Sequence, residues 1–442
     1  MDDLNFRKQL FRALKDEPLR PDDPRYVDFY SEHPEDPVRR LAEQIEFLEI
    51  ESFQMFSGFR GSGKTTELNR LGDRLGGKGM VVLYGDALQY VNSAAPLEIV
   101  TLLFSIAGSF NDALHGKGYA DKLRENYWTR FTNFLTRTNV DLKEIGLKAG
   151  GEMAAAEFKF NLRQTPTFRQ RLANKIAGSL KELRDEVYGF FIDGLAAIQQ
   201  VHGEGVRAVF LFDQLEQIRG SGLEQEAVIR SVETIFANHL DLLKIPSFHI
   251  VCTVPPWLTT MLPGLNIETL PALGVWKNDD ARTQNAEHCG KLRQVITKRF
   301  GHEEFERFFG KMEENGTSLL ADRLVESSGG SLRDLLRLNG EAVLSATSIP
   351  VDETAIQRAI TKVRSQFLPI PLMDAEWLAR IARTRSDGLT DRTPEQVARF
   401  SLFLDTHLVF QLRNGSEWYD VHPLIREESF EIVRRSKQAT VP

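Results

Sequence analysis

Gly58-Phe59-Arg60-Gly61-Ser62-Gly63-Lys64-Thr65 fits the spacing G-x-x-x-x-G-K-[ST] at every position. Those residue types serve one chemistry. Glycines let the backbone turn its N–H groups inward around phosphate oxygens at the start of a helix. The lysine reaches the β- and γ-phosphates, and the threonine hydroxyl ligates Mg²⁺. The cofactor-binding set read from this stretch is Gly58, Arg60, Gly61, Ser62, Gly63, Lys64, Thr65 and Thr66, with ATP and Mg²⁺ as the ligands.

A second acidic feature matches the first. Ala208-Val209-Phe210-Leu211-Phe212-Asp213 reads as an apolar strand ending in a carboxylate that holds Mg²⁺ through water, together with Thr65. That strand is expected beside the phosphate-loop strand. Gln214 follows, where many ATPases carry the water-activating glutamate. An amide cannot take a proton, so base duty passes to Glu216, which helical geometry would place on the same side as Asp213. Thr253 ends another apolar run, His249 to Val254, and can hydrogen-bond the attacking water or the γ-phosphate. Arg333 follows a Gly329-Gly330 break in the first turn of a helix, where it can sense the γ-phosphate. Catalysis is thus assigned to Glu216, Asp213 and Lys64. Between Pro255 and Val275 there is neither Arg nor Lys, so the chain offers no trans arginine finger there.

The elements that must position these groups follow from periodicity. Apolar runs Ser52–Ser57, Met80–Tyr84, Ala208–Phe212 and His249–Val254 read as strands, with Glu268–Leu273 as a fifth. Helical patterns between them predict an α/β parallel sheet. The gap between the second and third strands is too long for one crossover helix, so it holds a helical insertion at about 112–200. Within it, alternation over Asn139–Leu162 around Gly150-Gly151 suggests a β-hairpin. Residues 279–364 are helical in pattern, and Pro369 and Pro371 break it. Two helices and an Asn414-Gly415 hairpin then predict a winged-helix-like end.

Composition narrows the class. The 442 residues carry 55 Lys and Arg against 62 Asp and Glu, which excludes a generally basic nucleic-acid coat. Residues 366–437 hold ten Lys and Arg against eleven Asp and Glu, so Arg380, Arg383, Arg385 and Arg392 read as a solvated face rather than a DNA grip. Two cysteines, Cys252 and Cys289, make no disulfide framework. No apolar run reaches the length of a membrane span, and the opening MDDLNFRKQL is unlike a signal peptide, so a cytoplasmic protein is expected. Asp86 reads as a cap, and His407 and His422 as lone structural histidines.

GFRGSGKTTEL at 58–68, VFLFDQLEQI at 209–218, a strand ending in threonine, and SGGSLRDLLRL together resemble AAA+-like P-loop ATPases, towards the STAND/NACHT group. In that group the second acidic residue also lies three after the Walker B aspartate. The helical stretch and chain end are similar to origin-recognition and transposition-regulator ATPases. The segments Pro21–Val27, Thr165–Arg169 and Trp418–Leu424 look like elements of uncharacterised bacterial ATP-binding proteins of conflict or anti-phage systems. The resemblance implies that Tyr26 and Val27 pack near the adenine.

The expected architecture is an N-terminal helix and linker (1–36), a P-loop core (37–275), a helical lid (276–365) and a winged-helix-like domain (366–442). The expected activity is slow, Mg²⁺-dependent ATP hydrolysis driving a switch in a defence system, with ATP between core and lid. A protein effector or homo-oligomer is the expected partner. Two alternatives stay open: a DNA-binding initiator or transposition regulator, and a nucleotide-locked scaffold without turnover.

Overall fold

The computed structural model describes residues 3–31, 35–138, 140, 145, 151–220, 224–312, 318–414 and 416–439. Helices α1 (Asp3–Ala13) and α2 (Pro37–Phe47) precede β1 (Ser52–Gly58) and α3 (Lys64–Gly76). After β2 (Val81–Asp86) come α4 (Ile99–Gly116), α5 (Tyr127–Arg137), α6 (Gly151–Gln164), α7 (Pro166–Ile176) and α8 (Leu180–His202). Next are β3 (Ala208–Asp213), α9 (Gln225–Asn238), β4 (His249–Val254), the one-turn α10 (Leu258–Met261) and β5 (Ile267–Leu270). Helices α11 (Ala286–Phe300), α12 (His302–Phe309), α13 (Leu319–Ser328), α14 (Leu332–Ser345) and α15 (Glu353–Arg364) follow. The chain closes with α16 (Leu372–Thr384), α17 (Pro394–Asp405), β6 (Val409–Asn414), β7 (Ser416–Val421) and α18 (Pro423–Ala439).

The chain forms two compact units. One comprises residues 37–57 and 70–269; the other comprises 1–36, 58–69 and 270–442.

The first unit is an α/β layer around a sheet of order β2-β3-β4-β1-β5. The pairs β1–β4, β2–β3 and β3–β4 are parallel. Every residue of β3 and β4 is buried, as expected for central strands covered on both faces. Their continuous runs AVFLF and HIVCTV have the composition for that place. The expectation that β3 lies beside β1 is corrected: β4 stands between them. Pairing order is set by which strands cover each other's edges, and the apolar runs are too alike to encode it.

The insertion is helical, and α6 replaces the expected hairpin. Phe158 and Leu162 are buried one turn apart, while Phe160 between them is 63% exposed. That is a 3.6-residue period sampled at every second residue. Residues 139, 141–144 and 146–150 of the expected hairpin lie outside the described residues. Aromatic rings fill the insertion's core. Phe104 meets Phe131 and Phe158, and Phe110 stacks on Phe191 at 3.8 Å. The Thr165–Arg169 segment joins two helices of this insertion. Pro166 opens α7, and buried Arg169 donates to the carbonyls of Leu162 and Arg163 at the end of α6.

In the second unit α1 is fastened to α14, where Arg7 Nε and Nη2 donate to the carbonyl oxygens of Val343 and Leu344 at 2.8 and 2.7 Å. Gly330, just before α14, cannot be replaced. An added Cβ would lie 1.7 Å from the Leu273 carbonyl oxygen. The hairpin β6–β7 runs antiparallel, with Phe410, Leu412 and Trp418 forming a small core against Ala272. Gly415, at its turn, lies outside the described residues.

Candidate functional site

Strand β1 runs directly into the loop 58–63, and α3 begins at Lys64. This is the strand–loop–helix arrangement that the spacing requires. Gly61 has φ +75°, and an added Cβ would lie 2.6 Å from the Cβ of Arg333. A Cβ on Gly63 would sit 3.4 Å from Leu332. The loop therefore lies against the first turn of α14, within one unit. Lys64 is buried, and its ammonium donates to the carbonyls of Gly58 and Phe59 at 2.7 and 2.8 Å. The Ser62 N–H donates to the Phe59 carbonyl, and the buried Ser62 Oγ has no hydrogen-bond partner. A loop of tight backbone turns, an ammonium folded over it and an unsatisfied hydroxyl fits a bound polyphosphate. Arg60 is exposed, and Thr65 is half-buried.

Thr66 has a further duty. Its hydroxyl accepts a hydrogen bond from the Leu19 N–H at 3.1 Å, and Asn69 donates to the Leu19 carbonyl at 2.9 Å. The linker after α1 is thus laid along the start of α3. Further along, Asp23 accepts from the backbone and guanidinium of Arg25, which holds its carboxyl down to about 2. Tyr26 is half-buried and Val27 buried; Lys298 donates to the Tyr26 carbonyl.

Arg333 lies in the first turn of α14, where Ser331 caps the helix by accepting from the Asp334 N–H. Its Nε donates to Asp16 at 2.8 Å. Asp334, the next residue, turns to another cluster that sequence reading misses. Its Oδ2 lies 3.5 Å from both His407 Nδ1 and His422 Nε2, and its Oδ1 accepts from Arg337. The two histidines described as lone are therefore neighbours around one buried carboxylate. Burial alone would raise Asp334, but the histidines outweigh it and hold its carboxyl well below the usual range. Burial lowers His422, whose Nδ1 accepts from the Leu424 N–H; the neutral tautomer then carries its proton on Nε2, towards Asp334. His407 and Phe410 also meet Phe59 edge-on at 6.4 and 6.2 Å. The hairpin thereby packs on the second residue of the phosphate loop. No sequence signal joins Asp334 or Phe59 to His407, Phe410 and His422, because both lie far along the chain from the 407–422 segment.

The other unit holds the acidic groups. Sheet register aligns Phe56 with Thr253 and Phe212 with Cys252, which puts Asp213 and Thr253 level at the ends of adjacent strands. The Asp213 carboxylate accepts from the Gln214 N–H at 2.7 Å. Gln214 adopts φ +70°, and Leu215–Gln217 form a single 3-10 turn, so the expected α-helical continuation is corrected. The buried Thr253 hydroxyl accepts from the Leu215 N–H at 3.2 Å and pins that turn. Glu216 is buried rather than a solvated charge. Burial, with the nearby charges of Glu216 and Asp213, pushes the Cys252 thiol up, so it is no nucleophile. Asp86 caps its turn as expected, accepting from the Leu88 N–H.

Three of the four C-terminal arginines singled out in the sequence are engaged within the protein, and Arg380 is exposed. Arg385 donates to Asn278 and Asp279, Arg392 to Asp387, and Arg383 lies over the Phe430 ring. No helix among the described residues is long and apolar enough to cross a membrane.

No protein-family model and no curated protein matches this chain. Among solved structures, a Walker-type ATPase of Pyrococcus abyssi is 12% identical, with 96% of this chain and 99% of that one covered and a TM-score of 0.40. The Aeropyrum pernix ORC2 protein, in ADPNP–ADP complexes, is 12% identical over 97% and 98%, at 0.38. Cdc6p from Pyrobaculum aerophilum is 11% identical over 96% and 98%, at 0.35. Likeness at this level does not assign a function.

Proposed function

We propose that this chain is a nucleotide switch that binds ATP with Mg²⁺ and hydrolyses it slowly. The observation that carries the reading is the phosphate loop itself, with Gly61 in the left-handed region and Lys64 folded over the loop at the start of α3. The loop N–H groups and Lys64 hold the phosphates, and Ser62 offers them its hydroxyl. Thr65 and Asp213 hold Mg²⁺, which supplies charge neutralisation at the transferring phosphoryl group. Glu216 takes the proton of the attacking water; its burial beside Asp213 and Cys252 supports that role over a surface charge. Thr253 orients, Arg333 senses the third phosphate, and Tyr26 and Val27 pack near the base.

Slow turnover follows from Gln214 in the position after Asp213 and from the absence of Arg and Lys over residues 255–275. Residues 276–365 act as a lid and 366–442 as a winged-helix-like module. A protein partner or a second copy of the chain is favoured over DNA, because Arg383, Arg385 and Arg392 are already engaged within the protein. A single-turnover assay on the full chain tests this reading. Bound ATP should convert to ADP over minutes. Conversion within a second contradicts the slow switch, and stable binding without conversion leaves the scaffold. Steeply salt-dependent duplex binding below a micromolar contradicts the partner assignment.

A further inference from the structure

Arg333 is the residue read above as the sensor of a third phosphate, and the inference rests on that reading. It is held against Gly61 of the loop, and its Nε donates to Asp16 at 2.8 Å. Asp16 is not a chance surface partner. On one side, α1 is tied to α14 through Arg7, so the helix carrying Arg333 also carries the start of the segment. On the other, Leu19 is clasped by Thr66 and Asn69 of α3. Asp16 lies between those two anchors, fixed at the arginine that supplies the three atoms nearest a Cβ on Gly61. Its neighbour Glu17 is taken by Lys15 and Arg25, at 2.5 and 2.8 Å, which leaves Asp16 to face Arg333.

We propose that Asp16 is a nucleotide-discriminating residue: its carboxylate competes with a third phosphate for Arg333, so a triphosphate must part the pair whereas a diphosphate leaves it closed. Two anions cannot both hold one guanidinium fork in the same geometry. Parting the pair also frees the 14–19 linker from one of its fastenings, so the N-terminal segment reports the state of the nucleotide. The pair is part-exposed, with 29% of the Arg333 side chain and 51% of the Asp16 side chain accessible, so the competition is modest in size.

The test is titration calorimetry of the full chain with Mg²⁺ and either ADP or the non-hydrolysable β,γ-imido analogue of ATP. It compares wild type, Asp16→Asn, Arg333→Ala and the double variant. Asp16→Asn should tighten the triphosphate by roughly 1.5- to 5-fold, the range of exposed ion pairs, and leave ADP unchanged. Arg333→Ala should reduce the preference for triphosphate, the remainder coming from Lys64, and Asp16→Asn should add nothing in that background. In wild type, the Leu19 amide should exchange its hydrogen faster with the triphosphate bound than with ADP. Equal tightening of both nucleotides, or none, with Arg333→Ala still reducing the preference, overturns the proposal and spares the sensor reading. If Arg333→Ala leaves the preference intact, the sensor assignment is wrong and this inference goes with it.

Discussion

Gly61→Ala is the substitution whose cost follows most directly from the structure. Gly61 holds φ +75°, a conformation that costs an L-residue about 1–2 kcal/mol. The new methyl would also lie 2.6 Å from the Cβ of Arg333 and 3.1 Å from its Nε. Nε belongs to a swinging chain and can yield. The Cβ is fixed to the first turn of α14, itself capped by Ser331, so relief requires moving loop or helix. Overpacking of that kind adds about 1–3 kcal/mol. The total of about 2–5 kcal/mol divides between stability and affinity: the part that the free loop relieves by relaxing, and must take on again to bind phosphate, weakens binding, by at most roughly 30- to several-thousand-fold. Calorimetric titration with Mg·ATP reads that loss, and chemical denaturation reads the accompanying fall in stability. Arg333→Gly removes the opposing Cβ, so combining it with Gly61→Ala should recover the overlap portion, a coupling of about 1–3 kcal/mol. Wild-type affinity in Gly61→Ala, with zero coupling to position 333, would refute the placement of the loop against α14.

Three further outcomes are expected. Burial lowers His422, so the unfolded chain takes up its proton first as pH falls below about 6.5; stability should drop from there towards pH 5 at no more than about 1.4 kcal/mol per pH unit. Asp334, held below the usual carboxylate range, adds its own loss only at lower pH, and His422→Gln should flatten the pH 5–7 slope in urea denaturation. Glu216→Gln should keep ATP affinity and slow single-turnover hydrolysis by about 10²-fold or more, while Gln214→Ala costs much less; the reverse order would make the amide the orienting group. Phe410→Ala removes a buried ring that packs on Phe59, and should cost about 3–5 kcal/mol of stability and weaken ATP binding together. An unchanged ATP affinity would show that the hairpin does not support the loop.

Local patterns are readable in the sequence, and non-local ones are not. The strand before Gly58, the loop and the helix from Lys64 stand in sequence as they stand in space, because each step is encoded within a few residues. Strands β1 to β4 are visible as apolar runs for the same reason. Their order is not: nothing in AVFLF or HIVCTV says which one flanks SFQMFS. Helix α6 reads as a hairpin because Phe158, Phe160 and Leu162 alternate along the chain, yet only the first and last are buried. Spacing singles out Glu216, but the 3-10 turn that holds it depends on Thr253, a residue on another strand. Asp16 facing Arg333, and Asp334 facing His407 and His422, join residues separated by long stretches of chain, so composition and periodicity are blind to them.

The central claim is that the loop around Lys64 binds nucleotide phosphates, and ligand-induced stabilisation of wild type against Lys64→Ala tests it most directly. The comparison must be of shifts rather than of absolute stabilities. Lys64 also holds the carbonyls of Gly58 and Phe59, so its loss should lower the ligand-free stability by about 1–3 kcal/mol. At a hundredfold excess of Mg·ATP over Kd, wild type should gain about 2.7 kcal/mol, and Lys64→Ala should gain nothing at the same concentration. An equal gain in both proteins would contradict the account.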